Sequence, residues 1–276
     1  MTTILSPEKI AAQITTQMTV KTLLRWDLSF LRAIPGGAFI ALGFMFFITS
    51  QVGAAEAMPW GMHRLIGGLA FSVGIVLVVV TGGELFTSST MALSARAAGR
   101  ITTLQLLGLW TRSYLGNLVG AVSVILLCYF GGIHHSAEGA WGDLVIKTAE
   151  YKVSHSPFEA FVLGIGCNLL VCIAVWTANA GKTVIDKLFL LMLPVAIFVA
   201  TGFEHSVANM FMLPFGMLLG ADITAGQLLL GNLLPVTLGN IVGGGVMIGL
   251  FYWFVFRGAN TAAEPVAAEQ LNRAEP

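Results

Sequence analysis

Six runs nearly free of ionisable residues divide this chain, at about 33–55, 65–95, 113–133, 158–181, 188–221 and 225–256. A bilayer core about 30 Å thick needs roughly 20 residues of helix to cross it, and every run clears that length. Only 10% of the 276 residues are charged, against about 25% in a soluble domain, so the chain cannot cover itself with a solvated surface. It is therefore expected to be an all-α integral membrane protein with six transmembrane spans. Acidic and basic residues number 14 each, which gives no bias toward nucleic acid.

Sorting Lys and Arg by loop sets the orientation. One side receives Lys9, Lys21, Arg25, Arg32, Arg96, Arg100, Arg112, Lys182, Lys187, Arg257 and Arg273, and the other Arg64, Lys147 and Lys152. The positive-inside rule then places both termini in the cytoplasm. Residues 1–30 read as a cytoplasmic amphipathic segment, polar and mixed in charge rather than a secretory leader. Ser6 is its expected N-cap and Pro7 its first helical residue. Residues 31–256 form the six-span domain, and 257–276 a cytoplasmic tail. Cys128, Cys167 and Cys172 lie in apolar runs and read as small core residues.

The second and fifth runs are too long for one crossing. An unbroken helix over 188–221 would reach about 50 Å at 1.5 Å per residue. Polar stretches interrupt both at mid-length, "TGGELFTSS" at 81–89 and "TGFEHSVANM" at 201–210. Each is read as two half-helices meeting at an irregular loop, which survives at membrane depth only against protein or a water-filled cavity.

An internal repeat supports this reading. T-G-x-E recurs at Thr81 and Thr201, 120 residues apart, and L-G-N-[LI]-V-G at 115–120 and 238–243, 123 residues apart. Three spans per half force the second half to insert upside down. Such a 3+3 inverted repeat with second and fifth spans broken points to a transport path at the midplane.

Glu84 and Glu204 stand at matching places, and the expected role of both is to cap a half-helix N-terminus and complement its dipole. Asn117 and Asn240 are expected to hydrogen-bond between helices. His63, His134, His135 and His155 fall in the outward loops and are expected to be solvated. His205 alone lies within a span, where an ionisable group marks an ion pathway or proton relay. Burial and a neighbouring carboxylate push its charge in opposite directions, so the sequence leaves its resting state open. No spaced metal-ligand set accompanies it, and adjacent helical residues point about 100° apart, which argues against an intramembrane enzyme built on Glu204 and His205.

"GGELFTSS", "YLGNLVGA", "CNLLVCIAVW", "FVATGFEHSVANMF" and "PVTLGNIVGGG" together resemble the formate/nitrite transporter family, over about residues 30–256. "ITTLQLLGLW", "YLGNLVGA" and "AEYKVSHS" look more like its formate channels than its nitrite channels, and nitrite is the alternative cargo. The resemblance implies a homopentamer with an aquaporin-like pore through each protomer of an inner-membrane channel. It implies that His205 is the central pore histidine, faced by Thr87, with Asn168 and Asn240 as pore asparagines. It assigns Phe71, Ile75, Leu85, Val171 and Phe198 to apolar constrictions, Lys152 to an outward vestibule that attracts anions, and Glu204 to the carboxylate beside the histidine. For the N-terminal segment it implies gating and contact with pyruvate formate-lyase; a helix lying solvated on the membrane surface is the alternative. No cofactor is implied.

Overall fold

The computed structural model describes residues 4–257, so the expected tail lies, apart from Arg257, outside the described residues. Six helices long and apolar enough to cross a membrane are present among them. The first helix, α1 (Pro7–Leu23), begins at the expected proline, although the Ser6 hydroxyl makes no cap bond. Its Ile10, Ile14 and Met18 are buried with Met91, Ala95, Leu106 and Ile248 of the membrane domain. α1 is thus docked against the spans rather than lying solvated beside them.

The spans follow as α2 (Trp26–Gln51) and α3 (Trp60–Thr81), then a break at residues 82–85. Past that break, α4 runs through three short pieces, Phe86–Ser89, Thr90–Ala92 and Leu93–Ala97. The third span is α5 (Thr103–Phe130), opened by a Thr102–Gln105 capping box. α6 (Ala140–Val153) precedes α7 (Pro157–Ala178), the fourth span. α8 (Val184–Thr201), a second break at 202–205 and α9 (Ser206–Leu219) form the fifth. α10 (Gln227–Val255) closes the chain and contains wide π-helical stretches at Gln227–Leu233 and Ile241–Leu250. The first span starts at Trp26, earlier than the charge-free run, because Asp27 and Arg32 sit in its opening turns.

Both breaks are built alike. Each first half ends on a left-handed glycine, Gly82 at φ 78° and Gly202 at φ 82°, a conformation that costs glycine little. The freed backbone is then satisfied by one asparagine from the last span of the same repeat. Asn117 Oδ1 accepts from Phe86 N–H at 2.8 Å, and its Nδ2 donates to Ala33 O and Glu84 O. Asn240 Oδ1 accepts from Ser206 N–H at 2.9 Å, and its Nδ2 donates to Gly164 O and Glu204 O. Irregular backbone persists at this depth because these protein groups supply bonds that water would otherwise make.

The asparagines therefore take the capping role expected of the two glutamates. A carboxylate offers acceptors only, whereas an amide can accept from the helix N–H and donate to the loop carbonyls at once. Close approach makes this possible. A Cβ on Gly37 would strike the Asn117 backbone, and one on Gly239 the Phe161 carbonyl.

Candidate functional site

The 120-residue offset places Leu85 and His205 at the same position of the two breaks, so the repeat is symmetric in backbone and asymmetric in chemistry. His205 is the N-cap of α9, and its Nδ1 accepts the Ala208 N–H at 3.1 Å. That bond places the lone pair on Nδ1 and the ring proton on Nε2. Nε2 lies 3.1 Å from Thr87 Oγ1, at the start of the opposing half-helix α4. The imidazole stacks against Phe198, whose ring makes an edge contact with Phe71. Two half-helix N-termini, each with a partial positive charge, thus converge on a Thr–His pair walled by phenylalanine.

Two cavities flank this pair. One, of about 80 Å³, is lined by Phe71, Phe198, Phe203, Lys152, Glu204 and His205. The other, of about 260 Å³, is lined by Ile75, Val78, Ser88, Val175, Lys21 and Lys187. Phe71 and Ile75 stand four residues apart on one face of α3, about 6 Å along its axis. The cavities are therefore separated along α3 by about one helical turn. Leu85 and Val171 are buried in the same core cluster as Phe71, Ile75 and Phe198.

Lys152 is not a freely solvated vestibule charge. It is 9% exposed, and its Nζ lies 2.8 Å from Glu204 Oε1. Glu204 Oε2 accepts from Asn209 Nδ2 at 2.7 Å. Asn209 also donates to Asn232 Oδ1, and Asn232 Nδ2 donates to the Lys152 carbonyl at 2.9 Å. The pair is desolvated, and it is held because its hydrogen bonds are met from three elements.

Asn168 and Asn240 are both fully buried and committed to protein. Asn168 Nδ2 donates to Thr87 O, Thr90 Oγ1 and Asn240 O. Both amides hold the breaks together. Of the other histidines, His63, His134 and His155 are half-buried and His135 is exposed. His63 Nδ1 bonds Gln51 Oε1 at 3.0 Å.

Sequence reasoning missed Asn209, Asn232, Ser29 and Arg112. Asn232 carried a signal, a carboxamide in an otherwise apolar run. Arg112 was read as a loop charge, yet it is 6% exposed within α5. Its guanidinium donates to Ser29 Oγ and to the Lys21 and Thr22 carbonyls.

The family model described as Formate/nitrite transporter matches residues 8–254. The chain is 47% identical over 251 residues to the formate channel FocA of Haemophilus influenzae, covering 84% of this chain and 88% of that one. It is 44% identical over 246 residues to the formate channel FocA of Escherichia coli K12, covering 83% and 86%. A solved structure described as a pentameric formate channel with formate bound superposes with a TM-score of 0.78 at 40% identity, over 84% of this chain and 97% of its own. A second, described as an FNT family ion channel, gives 0.79 at 29% identity, over 90% and 98%.

Proposed function

Because this chain belongs to the formate/nitrite transporter family, we propose that it passes formate across the bacterial inner membrane, with one path through each protomer of a homopentamer. Relatives named as formate channels and the pentameric neighbour with formate bound support the cargo and the assembly. Membership of a transporter family sets aside the enzyme alternative. The cation count by loop supports cytoplasmic termini. Contact with pyruvate formate-lyase rests on the resemblance alone, and the outer face of α1, with Glu8, Lys9 and Gln13 exposed, is the surface available for it.

The observation that carries this reading is the pair of cavities on either side of the buried Thr87–His205 hydrogen bond. The path runs from the cavity at Lys152 and Glu204, past Phe71 and Phe198, to that pair. It continues between Leu85, Ile75 and Val171 to the cavity at Lys21 and Lys187. A bare carboxylate loses most of its hydration in the apolar section, and its neutral acid loses far less. His205 relieves that cost in two ways. Its Nε2–H, now directed at Thr87, donates to an arriving formate oxygen. When a proton arrives at Nδ1 in place of the Ala208 N–H, the resulting imidazolium transfers its Nε2 proton to formate. Formic acid then crosses the apolar section, leaving a neutral ring with its proton on Nδ1. Once that proton is lost to water and Nε2 takes one up again, Nδ1 is free to accept the Ala208 N–H and the cap re-forms.

Isotonic swelling of proteoliposomes tests the cargo. Formate should swell them faster than nitrite, and both faster than protein-free vesicles. Swelling by nitrite alone would reassign the cargo, and swelling by neither would remove the channel reading.

A further inference from the structure

The structural repeat extends beyond the six spans. α1 precedes the first repeat as α6 precedes the second, and each carries a lysine in its last turn, five residues before the following span begins: Lys21 before Trp26, Lys152 before Pro157. Each lysine faces the glutamate of its own break, Lys152 at 2.8 Å from Glu204 and Lys21 at 3.8 Å from Glu84. In each half the last span also sends one buried side chain to the carbonyl of that lysine. Asn232 donates to Lys152 O at 2.9 Å, and Arg112, 120 residues earlier, donates to Lys21 O at 3.0 Å.

We propose that Arg112 is a positioning residue that docks α1 onto the inner break, doing for Lys21 what Asn232 does for Lys152. The chemistry of the two clasps differs. Asn232 is neutral, and its lysine is already paired directly with Glu204. Arg112 brings its own charge. Its Nη2 takes the Lys21 and Thr22 carbonyls, at the end of α1 where helical carbonyls lack partners. Its Nε donates at 2.8 Å to Ser29 Oγ, which donates at 3.0 Å to Glu84 Oε2. Glu84 also accepts from Ser89 in α4, and its backbone N–H is bound to Arg32 O. The end of α1 and the inner half-helix are therefore joined through one chain of hydrogen bonds. Gln17, Met18 and Lys21 of α1 wall the inner cavity, so this clasp fixes the width of the inner mouth.

The test reads α1 directly and stands whether or not formate is the cargo. Ile14 is 4% exposed, packed under α1 away from the inner cavity, and the three native cysteines are buried. Maleimide labelling of Ile14→Cys in the full-length protein in detergent micelles therefore reports undocking of α1. Arg112→Met should raise the labelling rate roughly tenfold or more, the scale of losing hydrogen bonds to a buried charged donor. Ser29→Ala, which cuts the link to Glu84 and leaves the carbonyl contacts in place, should raise it by a smaller factor. Asn232→Ala, acting on α6, should leave it at the parent rate. Formate flux should change in Arg112→Met in step with labelling. Parent-like labelling in both Arg112→Met and Ser29→Ala would overturn the proposal. So would an Asn232→Ala rate equal to that of Arg112→Met, because it would show general loosening. If Arg112→Met fails to fold, Ser29→Ala against Asn232→Ala decides by the same comparison.

Discussion

Lys152 and Glu204 sit together in the wall of the smaller cavity, each almost wholly withdrawn from water. Removing one member of such a pair leaves the other charge buried and uncompensated, at a cost of about 3–5 kcal/mol, whereas replacing both removes most of that penalty. Lys152→Gln alone should therefore lower the thermal stability of the solubilised protein sharply, with Glu204→Gln added to it restoring most of the loss. Thermal melts of the two single variants and the double variant check this. Additive losses would mean that the two groups do not depend on each other. Little of this pairing was legible in the sequence, since the residues stand 52 positions apart and a lysine beside a predicted loop reads as solvated. Arg112 was misread for the same reason. A charge marks a membrane edge only while it is exposed, and Arg112 is satisfied instead by Ser29 and the end of α1. The isolation of His205 in an apolar run was legible, because an ionisable residue there has few roles other than function. Its Nδ1 cap on Ala208 was not, because it depends on the backbone turn.

Among the elements, the broken spans were readable from length and from the paired T-G-x-E motifs, and both breaks open at the glycine of that motif. What the sequence could not decide was which side chain caps them. The helix dipole favours a carboxylate near a helix start, but the site also presents carbonyls, and only an amide meets both needs. The π-helical stretches of α10 likewise left no periodic signal, since the run is apolar on every side. The packing of α10 on α7 depends on glycines that leave no room for a side chain. A Cβ on Gly243 would meet the Ile165 carbonyl, backbone that cannot swing aside. Gly243→Leu should therefore separate the two helices and disturb the Asn240 bonds one turn away, giving a protein that elutes as misassembled material and carries little formate. Parent-like elution and flux would show that this crossing is not needed.

For the whole molecule, the inverted repeat sets two half-helices end to end and leaves a cavity on each side of their meeting point. The halves share a backbone plan but not their side chains, and at the break Leu85 in the first stands where His205 stands in the second. That difference concentrates the polar chemistry of the barrier at a single imidazole, with Thr87 across from it. The proposed function requires this imidazole to exchange a proton with formate during passage. The direct measurement is formate flux into proteoliposomes against external pH, for the parent and for His205→Asn. The parent should take up formate faster as external pH falls, in excess of the rise seen in protein-free vesicles, and His205→Asn should lose that excess while keeping a residual, pH-independent leak. Parallel pH profiles in the two proteins would contradict proton exchange at His205 and leave it as a group that only holds the break together.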